Sequence, residues 1–330
     1  MQAMNAPTDA FHLHTVPIAT PFSFGDANMY LYDGGEALTL FDGAFPTEEA
    51  WAALLQALAA LGATARDIRR VVLTHHHFDH TGLVGRVVAE SGAEVWGHPE
   101  IPLRTALAYS FDDAHNAWLA ALLEGLGAPP DLVAGMLERR PLQMPFVHRV
   151  DRLDRALPDG TLFDGFRVVH VPGHSPTDTL FVQESAGFTI TGDHVLEHIT
   201  PNPLIRRPAP GEEGVKCLVQ FEESLRRCRA RDLGWCFPGH GKPFADHRAA
   251  VDRTLARHEE RDRRIRAWLP GIGATPYETA RHLYPRMGTD DLFLCISVAV
   301  GHLELLESQG LLVSSAEERG LRYFPAAARV

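Results

Sequence analysis

Residues 74 to 80 read Thr-His-His-His-Phe-Asp-His and follow directly on the run Arg70-Val71-Val72-Leu73. That run is short, β-branched and leads into polar residues, so it predicts a buried strand. Four side chains that can ligate a metal, His75, His77, Asp79 and His80, therefore stand where a strand gives way to a loop. The strand holds the start of the loop rigid, and the loop can turn several side chains onto one point. Imidazole nitrogen and carboxylate oxygen suit zinc, and also iron or manganese. The chain has 18 histidines, so a stray pair carries little information. A His-x-His-x-Asp-His cluster at a strand end carries much more.

Three further islands repeat the arrangement. They are Val171-Pro172-Gly173-His174-Ser175-Pro176-Thr177-Asp178-Thr179, Thr189-Ile190-Thr191-Gly192-Asp193-His194 and Cys236-Phe237-Pro238-Gly239-His240-Gly241. Each follows a strand-like run (Phe166 to Val171, Phe188 to Thr191, Leu233 to Phe237). Each puts a His or Asp at the strand's end beside a glycine, which permits a sharp turn and close approach of backbone to a metal. Taken singly, each is as well explained by an ordinary turn. The four in this order make a pattern.

With these residues the chain resembles the metallo-β-lactamase superfamily of hydrolases. The resemblance rests on His75, His77, Asp79, His80, His174, Asp193 and His240. It also takes in Asn28 of Asn-Met-Tyr-Leu-Tyr and Asp42 of Leu-Phe-Asp-Gly, and it spans roughly residues 12 to 245. It implies a binuclear centre for two divalent ions, with zinc favoured over iron or manganese. His75, His77 and His174 would hold one ion, Asp79, His80 and His240 the other, and Asp193 would bridge. Asp42 would accept a hydrogen bond from a ligand histidine and fix its tautomer. His76 is out of step with the pattern. His194 and His198 are candidates for supporting or substrate contacts. The closer resemblance is to the branch with a C-terminal winged helix, which takes in lactamase-like endoribonucleases and glyoxalase II-like proteins. Asp193-His194-Val195-Leu196 leading on to Ile199-Thr200-Pro201-Asn202, Pro238-Gly239-His240-Gly241-Lys242-Pro243 followed by a charged helix with His258 and Arg261, and Val300 to Leu311 carry it. The fold implied is α+β: a four-layer αβ/βα sandwich with a helical insertion and a C-terminal winged-helix domain.

The expected boundaries are 1–245 for the catalytic domain, with the insertion at about 99–145, and 246–330 for a linker helix and winged-helix-like tail. Within the insertion, Trp118, Leu119, Leu122, Leu123 and Leu126 recur at spacings of three and four, as do Leu132, Val133, Met136 and Leu137. These are amphipathic helices that need something to cover. The reading weighs a flap on the core, a wall of the substrate pocket and a homodimer surface. Strands are expected to resume at Val147–Val150. The run Arg257 to Arg266 makes the end of a long helix basic, read as a solvated face. The formal net charge of −11 gives no footprint for general nucleic-acid binding. Cys217, Cys228, Cys236 and Cys295 show no Cys-x-x-Cys spacing and read as free thiols of a reducing compartment. No signal peptide or membrane span is visible, so a cytoplasmic location is expected.

The function these features predict is a binuclear metal-dependent hydrolase using a metal-bridging hydroxide, with Asp79 orienting it and passing on its proton. No Gly-x-Ser-x-Gly elbow is present, and Ser175 lacks a free base. The acidic charge and the insertion favour a small ester-like substrate, thioester or lactone, over an open groove. The alternatives are endonucleolytic cleavage of single-stranded RNA, or a regulatory winged-helix protein with a vestigial core. The complete ligand set argues against the last.

Overall fold

The computed structural model describes residues 8–20, 25–143, 147–212, 214–318 and 320–326. The chain divides into two compact units. The first comprises Met1–Tyr109, Phe146–Pro201 and Glu223–Asp252; the second comprises Ser110–Pro145, Asn202–Glu222 and Arg253–Val330.

The first unit holds two sheets. One has six strands in chain order: β1 (Leu13–Ile18), β2 (Ala27–Tyr32), β3 (Thr39–Phe41), β4 (Arg70–Val72), β5 (Glu94–Gly97) and β6 (Arg155–Ala156). β1 to β3 pair antiparallel and β3 to β6 pair parallel. The parallel pairs need crossovers, and helices α1 (Glu48–Ala60), α2 (Phe78–Thr81) and α3 (Val84–Ser91) lie in them. Thr47 caps α1 by accepting from Ala50 N at 3.1 Å, and acidic Glu48 and Glu49 occupy the first turn. The helix ends before Gly62, whose φ is +71°. Leu54 and Leu58 of α1 are fully buried against Leu31, Leu40 and Val71, each worth roughly 1.5–3 kcal/mol of burial. Helix α4 (Ile101–Ala108) follows β5.

The second sheet is ordered β11-β10-β9-β8-β7, from β7 (Leu162–Phe163), β8 (Phe166–His170), β9 (Thr179–Gln183), β10 (Phe188–Gly192) and β11 (Trp235–Pro238). Tyr30, Phe41, Phe166, Phe181, Phe188 and Phe237 fill one core between the sheets. Alternation along these strands puts this aromatic set inward. Helix α7 (Cys217–Ala230) buries Leu225 and Cys228, and its Ser224 Oγ donates to Pro172 O at 2.7 Å. Each of the four ligand-bearing segments found in the sequence leaves one of these strands. The expected strand at Val147–Val150 is absent. Only Val150 is buried there, with its carbonyl accepting from Thr105 Oγ1 at 3.2 Å, while Arg149 is exposed.

The second unit is mainly helical. α5 (Asp113–Gly125) and α6 (Pro130–Gln143) pack their apolar faces on α9 (Pro276–Leu283) and α10 (Leu292–Ser308). Leu119, Leu123 and Met136 meet Ala280, Leu292, Ile296 and Ala299 in one cluster. α8 (His247–Trp268) contributes Ile265 to a second cluster with Leu303, Leu306 and Tyr323. A two-stranded hairpin, β12 (Leu312–Glu317) with β13 (Gly320–Pro325), closes the chain. The units therefore do not follow the expected 1–245 and 246–330 division. The apolar faces of α5 and α6 find their cover on the tail helices, and α4 stays with the sheets. Among the described residues, no helix is long and apolar enough to cross a membrane.

Candidate metal centre

Four strand ends of the first unit deliver the candidate ligands. Beyond β4 the chain passes through His75 and His77, then winds the short helix α2, whose single turn carries Asp79 and His80. The cluster is thus half loop and half helix. His174 follows β8, Asp193 follows β10 and His240 follows β11. His75 Nε2 lies 3.1 Å from His77 Nδ1, and His174 Nε2 lies 2.9 Å from the same atom. Across the site, His80 Nε2 is 3.5 Å from Asp193 Oδ1 and 4.0 Å from Asp79 Oδ2. His240 Nε2 is 3.3 Å from Asp193 Oδ2 and 3.4 Å from Asp79 Oδ2. Asp193 also faces His174 Nε2 at 3.7 Å, which puts it between the two groups. The structure brings all seven residues together.

This donor set fits divalent ions. Three sets of side chains, His75/His77/His174, His75/His80/Asp193 and Asp79/His80/His240, each converge ligand atoms within 4.8 Å of one another. One proton at most can lie between His77 Nδ1 and its two imidazole neighbours, so lone pairs meet lone pairs unless a cation stands among them. Tetrahedral coordination at about 2.0–2.1 Å would set such nitrogens about 3.3 Å apart, close to what is seen. His80 Nε2 and Asp193 Oδ1 are buried and have no partner closer than their 3.5 Å approach to each other, a costly arrangement for polar atoms without a ligand. Gly239 adds a steric observation. A Cβ there would fall 2.1 Å from Asp193 Oδ1 and 2.6 Å from His80 Cε1, so only glycine leaves the space open.

Electrostatics divides the site. Burial, with neighbouring imidazoles adding to it, holds His75 well below its usual range and brings His77 down to about 4. Both are neutral and present lone pairs. On the other side burial opposes charge, but carboxylates overcome it: Asp193 and Asp42 hold His80 well above its usual range, and Asp193 brings His240 up to about 10. Against burial, His240 and His80 hold Asp193 well below the usual carboxylate range.

A supporting layer fixes these orientations. Asp42 stands just past β3 at φ +61°, a left-handed conformation that Asp tolerates better than most residues. Its carboxylate accepts from His80 Nδ1, Thr74 N and Thr74 Oγ1, each at 2.8 Å. In the neutral ring that a metal ligand requires, that bond places the proton on Nδ1 and leaves Nε2 for the centre. Asn28 Nδ2 donates to Pro238 O at 2.9 Å and Gly241 O at 2.7 Å, and so pins the loop that carries His240. His76 turns away to Thr177, with Nδ1 and Oγ1 at 2.9 Å. His194 Nδ1 lies 3.4 Å from Asp178 Oδ2. His198 is exposed beside Glu197 at 3.1 Å and is not among the converging side chains.

Asp178 is the residue the sequence reading passed over. It accepts from Ser175 N at 3.0 Å and Ser175 Oγ at 2.6 Å, which closes the turn after His174. The Ser-x-x-Asp spacing of Ser175 and Asp178 was the available signal. Thr74 and Gly239 lie in the same ligand-bearing segments, and their parts become visible only in the fold.

The model of the metallo-beta-lactamase superfamily matches residues 23–256. The chain belongs to the metallo-beta-lactamase superfamily. It is a hydrolase of that superfamily's fold. Among superfamily members, "Probable metallo-hydrolase YqjP" of Bacillus subtilis is 32% identical over 303 residues, covering 91% of this chain and 93% of that protein. That alignment is longer than the family match, so the likeness extends beyond the core. "Atrochrysone carboxyl ACP thioesterase AgnL7" of Paecilomyces divaricatus is 25% identical over 260 residues, 77% of this chain but 62% of that protein's length. A solved structure of a metallo-beta-lactamase family protein, TTHA1429 of Thermus thermophilus, aligns with TM-score 0.75 at 29% identity. It covers 95% of this chain and 98% of that one.

Proposed function

We propose that the protein is a binuclear metal-dependent hydrolase of a small ester-like substrate, with a thioester ahead of a lactone. The observation that carries this reading is the placement of Asp193, whose two carboxylate oxygens face His80 on one side and His174 and His240 on the other. His75, His77 and His174 would hold one ion, and Asp79, His80 and His240 the second, with zinc favoured. When bound, two divalent ions lower the pKa of water and stabilise negative charge on the attacked carbonyl and the leaving group.

The chain's own residues supply position and proton handling. Asp42 fixes the His80 tautomer, Asn28 fixes the His240 loop, and Asp178 fixes the turn that bears His174. Asp79, buried but held anionic against its burial by His80 and His240, is a base that can take up a proton at its carboxylate.

Three things support a small substrate. The AgnL7 relative is named for thioester cleavage. The basic run on α8 is partly engaged: Arg263 pairs with Glu260, Arg264 donates to Leu283 O at 3.3 Å, and Arg261 meets Asn202 at 3.5 Å. We read α9, α10 and the hairpin as a winged-helix-like element, but α10 is buried from Cys295 through Leu303 and packs rather than reads a nucleic acid.

Metal analysis of the purified chain should approach two equivalents of divalent ion. Acyl-thioesters, lactones and a single-stranded RNA should then be tested side by side with the loaded enzyme and with His77→Ala. Ester turnover lost in His77→Ala is the expected result. RNA cleavage lost in the same variant, with no ester turned over, would overturn the substrate reading.

A further inference from the structure

Helix α2 has four residues, two of them Asp79 and His80, and a helix so short does not hold itself together. Its C-terminal end is tied to the loop after β3. Gly43 N donates to His80 O at 2.6 Å, Gly82 N to Ala44 O at 2.9 Å and Leu83 N to Gly43 O at 2.8 Å. The other end gets no such help from its own cap. The N-cap is His77, which makes no side-chain capping bond, because its imidazole is turned to His75 and His174. A side chain from another helix takes over: Phe78 N–H donates to the phenol oxygen of Tyr109 at 3.0 Å.

Tyr109 stands on a firm base. It ends α4, where its own N–H donates to Thr105 O at 3.0 Å, and it is buried. α4 is seated through Ile101, fully buried in the cluster that holds Leu73 and Val95, and through Thr105 Oγ1, which donates to Val150 O. The Phe78 ring is gripped separately. The Phe45 ring lies 5.5 Å from it at 73°, and the Tyr109 ring 6.2 Å from it at 89°. Edge-on ring packing holds the side chain, whereas the hydroxyl bond acts on the backbone.

The backbone unit concerned is the peptide that joins His77 to Phe78. Such a unit is a rigid plane from one Cα to the next. Its carbonyl side is engaged by α2, since His77 O accepts from His80 N at 3.0 Å and from Thr81 Oγ1 at 3.3 Å. Its N–H side is engaged by Tyr109. With both sides held, the place of His77 relative to Asp79 and His80 is fixed. We infer that Tyr109 is a positioning residue of the hydrolytic centre, whose phenol oxygen keeps the ligand of one ion, His77, in register with Asp79 and His80 of the other. This role rests on the binuclear reading proposed above. Two-metal chemistry works at a separation of about 3.5–4 Å, so the register of the two ligand groups matters to both ions.

The test is a cobalt(II) titration of the metal-stripped full chain, read by visible absorption and by chelator competition. Wild type, Tyr109→Phe and Phe45→Leu are compared. Tyr109→Phe keeps the ring against Phe78 and removes only the acceptor. It should weaken cobalt binding by about tenfold or more and change the absorption of the loaded protein, with circular dichroism and the urea midpoint of the metal-free form close to wild type. Phe45→Leu removes the opposite ring and leaves the hydroxyl bond. It should lower the urea midpoint and keep the cobalt affinity and absorption of wild type. Wild-type affinity and absorption in Tyr109→Phe overturn the inference, whatever its urea midpoint. A Tyr109→Phe chain that does not fold also overturns it, because the hydroxyl would then serve the fold. So does a Phe45→Leu cobalt site disturbed as much as that of Tyr109→Phe, because ring packing would then place the peptide. A wild-type chain that takes up no cobalt is a different failure: it overturns the binuclear reading, and the role of Tyr109 falls with it.

Discussion

Asp42→Asn is the most exacting test of how the centre is held. The change is nearly isosteric, and Asn tolerates the φ of +61° at this position, so the backbone has no reason to move. The hydrogen bonding does. One carboxylate oxygen accepts from Thr74 N, and the other accepts from both Thr74 Oγ1 and His80 Nδ1. If the new amide keeps its oxygen toward Thr74 N, its NH₂ faces His80 Nδ1. The imidazole must then carry its proton on Nε2, the atom that faces Asp193 at 3.5 Å, and it loses the lone pair needed for a metal. If the amide flips, its NH₂ meets the Thr74 N–H, and a buried donor goes unpaired at about 1–3 kcal/mol. Either way a charge-assisted bond worth about 1.5–3 kcal/mol is lost. At 1.4 kcal/mol per decade that is roughly 10- to 100-fold in affinity, the range found for partners of metal ligands. The assay is a chelator-competition titration of Asp42→Asn against wild type, with circular dichroism and a urea melt as controls for folding. A folded Asp42→Asn protein that binds both ions as tightly as wild type would refute the tautomer argument.

Other predictions concern the frame around that centre. Gly239→Ala should remove metal and activity with little loss of secondary structure, because its Cβ would fall among Asp193 and His80; an active, metal-replete Gly239→Ala enzyme would contradict this. Asn28→Ala should destabilise its unit by about 1–3 kcal/mol from two lost bonds, seen as a lower urea midpoint, and should loosen the ion held by His240 more than the one held by His77. Acid should cost stability through His98. Burial, with the tilted His170 ring 4.2 Å away adding, brings it down to about 4, against about 6.5 in an unfolded chain. The unfolded chain therefore binds a proton first, and stability falls as pH drops from about 6.5 to 4. His98→Asn, which keeps an acceptor for Glu100 N, should flatten that part of the pH–stability curve relative to wild type, and parallel curves would remove His98 from the account.

The candidate centre was legible in the sequence for a local reason. The candidate ligands His75, His77, His174, Asp193 and His240 closely follow the end of a β-branched or aromatic run, Asp79 and His80 ride on the short helix next to one, and those runs are β4, β8, β10 and β11. A strand end states both its position and its direction, so a short motif carries most of a three-dimensional site. The supporting contacts were less visible because they link distant segments: Asn28 reaches Pro238 and Gly241, and His76 reaches Thr177. No spacing rule reports such pairs. Asp178 was hidden differently. It lies in plain sight three residues from Ser175, but its part depends on a turn whose closure the sequence does not announce.

The division of the chain was the least legible feature, and the reason lies in how helices declare their needs. The spacing of Trp118, Leu119, Leu122 and Leu123 announces an apolar face on α5, but not what will cover it. From the sequence a pocket wall or a second copy was together favoured over a flap on the core. The structure answers with the tail: α5 and α6 cluster with α9 and α10 around Leu292, Ile296 and Ala299. That answer has a consequence for α10. A helix covered on one face by the insertion and on another by α8 and the hairpin keeps little apolar surface free beyond the exposed Leu294, and it is buried from Cys295 to Leu303. A recognition helix must keep one side free for a groove. The same packing that makes the insertion and tail one unit therefore supports the proposal that α10 serves as a packing helix rather than a recognition helix.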